Sequence, residues 1–153
     1  MSSASAVLDA NLASGVGPWH EIDEDDLLYC VVFGGEGQPH TNAPYCATMP
    51  YQRRMFYGDG TLAFAYNGLL ARLGLTVSAA RLESADAKYT ARLFIGDRMR
   101  VRFESMEILP TDNQEDVGTI KTCLEVENQD GEVAMTLEVS LVLLSIPMGV
   151  PVA

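Results

Sequence analysis

From Met99 onward the apolar residues of this chain fall on every second position. Met99, Val101 and Phe103 alternate with Arg98, Arg100, Arg102 and Glu104. Ile120, Thr122, Leu124 and Val126 alternate with Lys121, Cys123, Glu125 and Glu127, and Val133, Met135, Leu137, Val139, Leu141 and Leu143 form a third series. A period of two places one set of side chains on a buried face and the other in water, so these segments predict half-buried antiparallel strands. Asn128-Gln129-Asp130-Gly131 predicts a hairpin turn between the last two, and residues 112–116 a polar loop before them. Residues 77–93 predict at least one more strand, ending before Gly96-Asp97.

Upstream the pattern is helical. Leu62, Phe64, Ala65, Leu69, Leu70 and Leu73, with Ala63 and Tyr66, make a helix over residues 60–73 apolar nearly all round, which other elements must wrap. Asp59 is its expected N-cap. Gly68 costs about 1 kcal/mol against alanine in a helix interior, a cost that close approach to a sheet would justify. The acidic run Asp23-Glu24-Asp25-Asp26 suits the first turn of a short helix capped by Asp23 and ending at Gly34-Gly35, although residues 29–33 would equally suit a buried strand. Residues 34–57 are rich in Gly, Pro, Asn and Tyr, and Pro39, Pro44 and Pro50 forbid a long element there. A loop of this length inside a compact domain points to function. Residues 1–17 read as a flexible tail and residues 18–153 as one domain. A sheet with one apolar face and a helix that needs a wrapper satisfy each other in an α+β hot-dog fold, a curved antiparallel sheet around one long buried helix.

Composition narrows the partners. The 153 residues suffice for one core, and with 48% apolar and 20% charged residues the chain is an ordinary globular one. Twenty-one acids against ten bases give a net charge of −11, which disfavours nucleic acid and anionic membranes. No apolar run approaches the roughly 20 residues of a membrane span, and the N-terminus has no basic start, so the expected setting is cytoplasmic. Three cysteines without CxxC spacing read as reduced thiols, and two histidines are too few for a multi-histidine metal site.

Three stretches resemble the MaoC-like hot-dog proteins, whose members include (R)-specific enoyl-CoA hydratases and acyl-thioester dehydratases. Gly35-Glu36-Gly37-Gln38-Pro39-His40 resembles the family's Gly-Asp-x-Asn-Pro-x-His motif. Asp59-Gly60-Thr61-Leu62 stands where the family has His-Gly-(apolar)-Leu at the helix start. Ala91-Arg92-Leu93-Phe94-Ile95-Gly96-Asp97 resembles its Pro-Val-x-x-Gly-Asp turn, and the hairpin at residues 128–133 is also similar. The likeness covers about residues 20–146. It departs in the motif: Glu replaces Asp, Gln38 replaces Asn, and His40 follows the acid by four residues instead of five, so strict register would put Thr41 at the histidine position.

The resemblance implies acid/base catalysis on a 2-enoyl or 3-hydroxyacyl thioester, without metal or redox cofactor. Glu36 and His40 would hold one water between them; they read equally well as a solvated loop acid and a turn residue. The Gly60 N–H would polarise the thioester carbonyl from the helix start, unless the glycine serves only the start's geometry. Asp59 is a cap, or the carboxylate of a thioesterase. Arg53 and Arg54 would take phosphates of coenzyme A or a phosphopantetheine arm, or pair with the acidic surface. Tyr57, with Tyr45, Tyr51 and Phe56, would wall a pocket or meet a partner subunit. A Cys46/His40 nucleophile has nothing further behind it. The resemblance also implies a homodimer or higher oligomer. The alternatives are a hot-dog thioesterase and a non-catalytic acyl-thioester-binding protein.

Overall fold

The structure is a computed structural model and describes residues 13–32, 37–75, 79–110 and 116–144. It contains strands β1 (Gly15–Val16) and β2 (His20–Glu21), then helices α1 (Glu24–Val32), α2 (Gln38–Thr41), α3 (Ala43–Cys46) and α4 (Gly58–Leu73). Strands β3 (Ala80–Tyr89), β4 (Arg98–Phe103), β5 (Glu107–Leu109), β6 (Asp116–Asn128) and β7 (Val133–Leu144) follow. They form one antiparallel sheet in the order β1-β4-β6-β7-β3, with β2 also on β4 and β5 also on β6.

The period-two series build the sheet's inner face. Met99, Val101, Phe103, Ile120, Leu124, Val126, Met135, Leu137 and Leu141 are buried and share one cluster with Ala65, Leu69, Leu70 and Leu73 of α4. An added Cβ at Gly68 would stand 3.3 Å from Val101 Cγ2, so the glycine lets helix and sheet approach. The β6–β7 turn is held by Asn128, whose Oδ1 accepts from the N–H groups of Asp130 and Glu132 at 3.0 Å each, and Gly131 takes the positive φ of 78° that favours glycine. At the end of α4, Gly74 is left-handed (φ 66°), and Leu75 N–H bonds Leu70 O at 2.9 Å.

Residues 24–32 are helical rather than extended. Asp23 Oδ1 accepts from the N–H groups of Asp25 (2.9 Å) and Asp26 (3.2 Å), and Asp26 returns a bond to Asp23 N–H, a reciprocal cap. Four expectations need correction. The tail is not loose throughout: Gly15 and Val16 pair with Phe103 and Arg102, and Gly17 N–H bonds Val101 O at 2.7 Å; residues 1–12 lie outside the described residues. The helix is not buried all round: Asn67 and Ala71 are exposed, and Ala63 and Phe64 half-buried. It also begins two residues early, at Gly58, with Tyr57 at the N-cap position and no side-chain cap. Asp59 therefore sits in the first turn, where its charge suits the dipole, and does not cap.

Arg100 and Arg102 are not simply a solvated face either. Glu127 is 2% exposed beneath them; its Oε1 accepts from Arg100 Nε at 2.6 Å and its Oε2 from Arg102 Nη2 at 2.5 Å. Trp19 covers Arg100, whose guanidinium carbon stands 4.4 Å from the indole centre.

Candidate active site

Pro39 occupies the first turn of α2, where its missing N–H costs nothing. Two contacts tie this turn to the strand-like segment before α4. Met55 N–H bonds Pro39 O at 2.9 Å, and His40 Nδ1 lies 2.8 Å from Met55 O. A carbonyl only accepts, so Nδ1 carries a hydrogen, and in the neutral ring Nε2 keeps its lone pair. The imidazole stacks on Tyr57 with centroids 4.0 Å apart. His40 thus has a fixed orientation and tautomer, and it lines a cavity of about 200 Å³. Met55, Phe56, Ala91, Leu93 and Ala134 make that cavity largely apolar; Thr61, Tyr89, Arg92 and Gly58 complete it. Thr41, the residue that strict register would favour, is exposed and bonds Gly37 O instead.

Helix α4 points its N-terminus at this region. Thr61 N–H makes the first helical bond, to Tyr57 O at 3.1 Å, so the N–H groups of Gly58, Asp59 and Gly60 precede the helix's own ladder. Gly58 lines the His40 cavity, and Tyr89 packs against it, donating its hydroxyl to Gly58 O at 3.0 Å. Burial pushes the Tyr89 hydroxyl pKa up, and Asp59 adds to this, so it remains a donor at neutral pH.

Not every expected residue converges on His40. Asp59 and Gly60 line a second cavity, of about 250 Å³, with Tyr29, Cys30, Tyr57 and Ala63. Tyr57 stands between the two, stacked on His40 and lining the second. Gly60 also has a packing role: an added Cβ would lie 2.5 Å from Phe56 Cζ and 2.8 Å from Cys30 Sγ. Gly60→Ala is expected to cost roughly 1–3 kcal/mol through overpacking; an unchanged urea midpoint would show instead that Phe56 and Cys30 yield freely. Burial first, then Asp26 and Asp59, raise the Cys30 thiol pKa, which makes it a poor nucleophile. Cys46 is buried and donates its Sγ–H to Pro39 O at 3.2 Å, away from the cavity.

Arg53 and Arg54 are committed elsewhere. Arg53 donates to Asp97 Oδ1 at 2.6 Å and to Ile95 O at 3.0 Å; Arg54 pairs with Glu24. Neither lines the His40 cavity. Glu36 lies outside the described residues. Sequence reasoning did not single out Tyr89, Thr61 or Arg92; the approach of residues 89–92 to the helix start depends on where β3 ends, which no local pattern encodes.

No protein-family model matches the sequence, and a search of curated proteins finds no match. Solved structures do match. A monoamine oxidase regulatory protein from Archaeoglobus fulgidus is 20% identical, with 88% of this chain and 90% of that one covered and a TM-score of 0.72. An R-hydratase from Pseudomonas aeruginosa is 19% identical over 92% and 91%, with a TM-score of 0.66. A MaoC-like dehydratase from Rhodospirillum rubrum is 13% identical over 88% and 92%, with a TM-score of 0.71. Across nearly the whole length of each, and with the sheet order and central helix described above, the chain has the hot-dog fold of the MaoC-like dehydratases and (R)-hydratases.

Proposed function

We propose that the protein is a hydratase/dehydratase acting on 2-enoyl or 3-hydroxyacyl thioesters of coenzyme A or an acyl carrier protein. The observation that carries this reading is His40: its Nδ1 is anchored by Met55 O and it borders a small apolar cavity beside a helix N-terminus. In hydration, Nε2 takes a proton from water as the water oxygen bonds to C3. The electron pair of the C2–C3 double bond moves toward the thioester carbonyl, and C2 then receives a proton. A histidine held in place with its Nε2 lone pair free suits this transfer. Helix N–H groups suit the oxygen on which charge develops. Gly58 shares the cavity with His40 whereas Gly60 lines the neighbouring one, which favours the Gly58 N–H over that of Gly60 for this role. The acid is assigned to Glu36 from the resemblance alone.

A homodimer fits the sheet. Strand β3 ends the strand order and is exposed over most of its length, including Leu82 and Tyr89, and a twofold partner would cover such an edge. Cys30, Cys46 and Cys123 are all free thiols, which suits a reducing, cytoplasmic setting.

Crotonyl-CoA tests the reaction. Loss of its enoyl absorbance without thiol release is the expected result. Thiol release would identify a thioesterase. Calorimetric binding of acyl-CoA without either change would identify a non-catalytic binder.

A further inference from the structure

We infer that the His40 cavity takes an acyl group ending in a carboxylate, which Arg92 receives at the rim; this rests on the thioester reading above. Arg92 is exposed, lines the same cavity as His40, and is the only Lys or Arg among the residues that do. Its guanidinium carbon lies 5.7 Å from the centre of the Tyr51 ring, a cation–π contact that holds the side chain without using its hydrogen-bond donors. Arg53 and Arg54, the two bases the sequence offers for an anion, are already held, by Asp97 and Glu24. Among the described residues no carboxylate pairs with Arg92. In a chain of net charge −11, an unspent guanidinium at the mouth of an apolar cavity is a specific anion site.

Size decides which anion it receives. The cavity is partly open to solvent, and its volume of about 200 Å³ corresponds to a sphere roughly 7 Å across. The nearest phosphate of a pantetheine arm lies on the order of 15 Å from the thioester carbon by covalent dimensions, well beyond that span. A carboxylate two or three bonds from the reacting carbons falls within it. The apolar walls of Met55, Phe56, Ala91, Leu93 and Ala134 suit the short methylene stem between them.

The test compares two saturated, unreactive esters of equal acyl length, glutaryl-CoA and pentanoyl-CoA, by calorimetry on the full chain. Glutaryl-CoA is expected to bind about tenfold more tightly, since one charge-assisted contact is of that order at a partly exposed site. The preference should shrink with added salt. Arg92→Met should abolish it while leaving pentanoyl-CoA affinity within about twofold, and Arg92→Lys should restore part of it. Equal binding of the two esters by the unaltered protein would overturn the proposal. So would equal loss of both in Arg92→Met, which would assign the cation to the arm's phosphate; pantetheine thioesters lacking that phosphate would then be insensitive to the substitution. A glutaryl preference in a protein that leaves crotonyl-CoA unchanged would keep the anion site and remove the hydratase reading.

Discussion

His40→Asn is expected to lower the kcat for crotonyl-CoA hydration by roughly 10²- to 10⁴-fold, the ordinary contribution of a positioned base. Asparagine is the informative choice because its amide N–H can still donate to Met55 O, as Nδ1 does at 2.8 Å, while the basic Nε2 is gone. His40→Ala removes the anchor and the stacking on Tyr57 as well. It should lose as much turnover and, in addition, about 1 kcal/mol of stability, the net worth of a typical hydrogen bond. If both variants fall together in kcat with KM for crotonyl-CoA little changed, the imidazole acts in the chemical step. Turnover near the unaltered level in His40→Asn would leave His40 as a packing residue and sink the assignment. An intermediate split, with His40→Ala far worse than His40→Asn, would also count against a base, because anchoring and not proton transfer would then carry the effect.

His40 shows how the sequence informs and where it stops. The Gly/Pro-rich stretch containing it pointed to function because it was too long and too broken to be a plain connection. It did not show that Pro39 and Pro44 would each start a short helical turn, or that Met55 would lie back against the first of them. The long strands were legible because their alternation persists over many residues. Strands β1, β2 and β5 were not, since two or three residues cannot display a period. The start of α4 lies two residues earlier than its capping residue suggests: Asp59 has the better capping side chain, but the first helical bond runs from Thr61 N–H to Tyr57 O, and Tyr89 at the end of β3 donates to Gly58 O. The Arg53-Arg54 pair drew attention by adjacency, yet each has a carboxylate partner distant in sequence. Arg92 stands alone in the sequence, and only the fold brings it to the histidine's cavity. Glu127 is the sharpest case. On its strand it reads as one more polar position, and nothing local reveals that Arg100 and Arg102 close over it, with Trp19 lying on Arg100.

Glu127→Gln is therefore expected to destabilise the fold by roughly 2–4 kcal/mol, in the range for breaking a buried pair and reduced by the partial exposure of the two arginines. For a chain of this size that lowers Tm by roughly 4–16 °C. Glutamine keeps the volume but turns an acceptor of two guanidinium bonds into a group with one acceptor and an amide donor facing positive charge. Burial alone would raise the Glu127 carboxyl pKa, but the hydrogen bonds from Arg100 and Arg102, with their charge, prevail and hold it below the ordinary carboxylate value. The sign of the pH dependence follows. A group whose folded pKa is depressed stabilises the protein fully above its unfolded value, about 4.3, and that contribution fades as pH falls through the folded value. The difference in stability between the unaltered protein and Glu127→Gln should be flat from pH 8 to about pH 5.5 and shrink only below the unfolded value. Urea unfolding of both proteins at several pH values measures it. In an Arg100→Met/Arg102→Met background the same substitution should cost less, because glutamine no longer faces the two cations it cannot neutralise. An equal cost in both backgrounds, or a difference unchanged down to pH 3, would show that the carboxylate's charge does not hold this part of the sheet together.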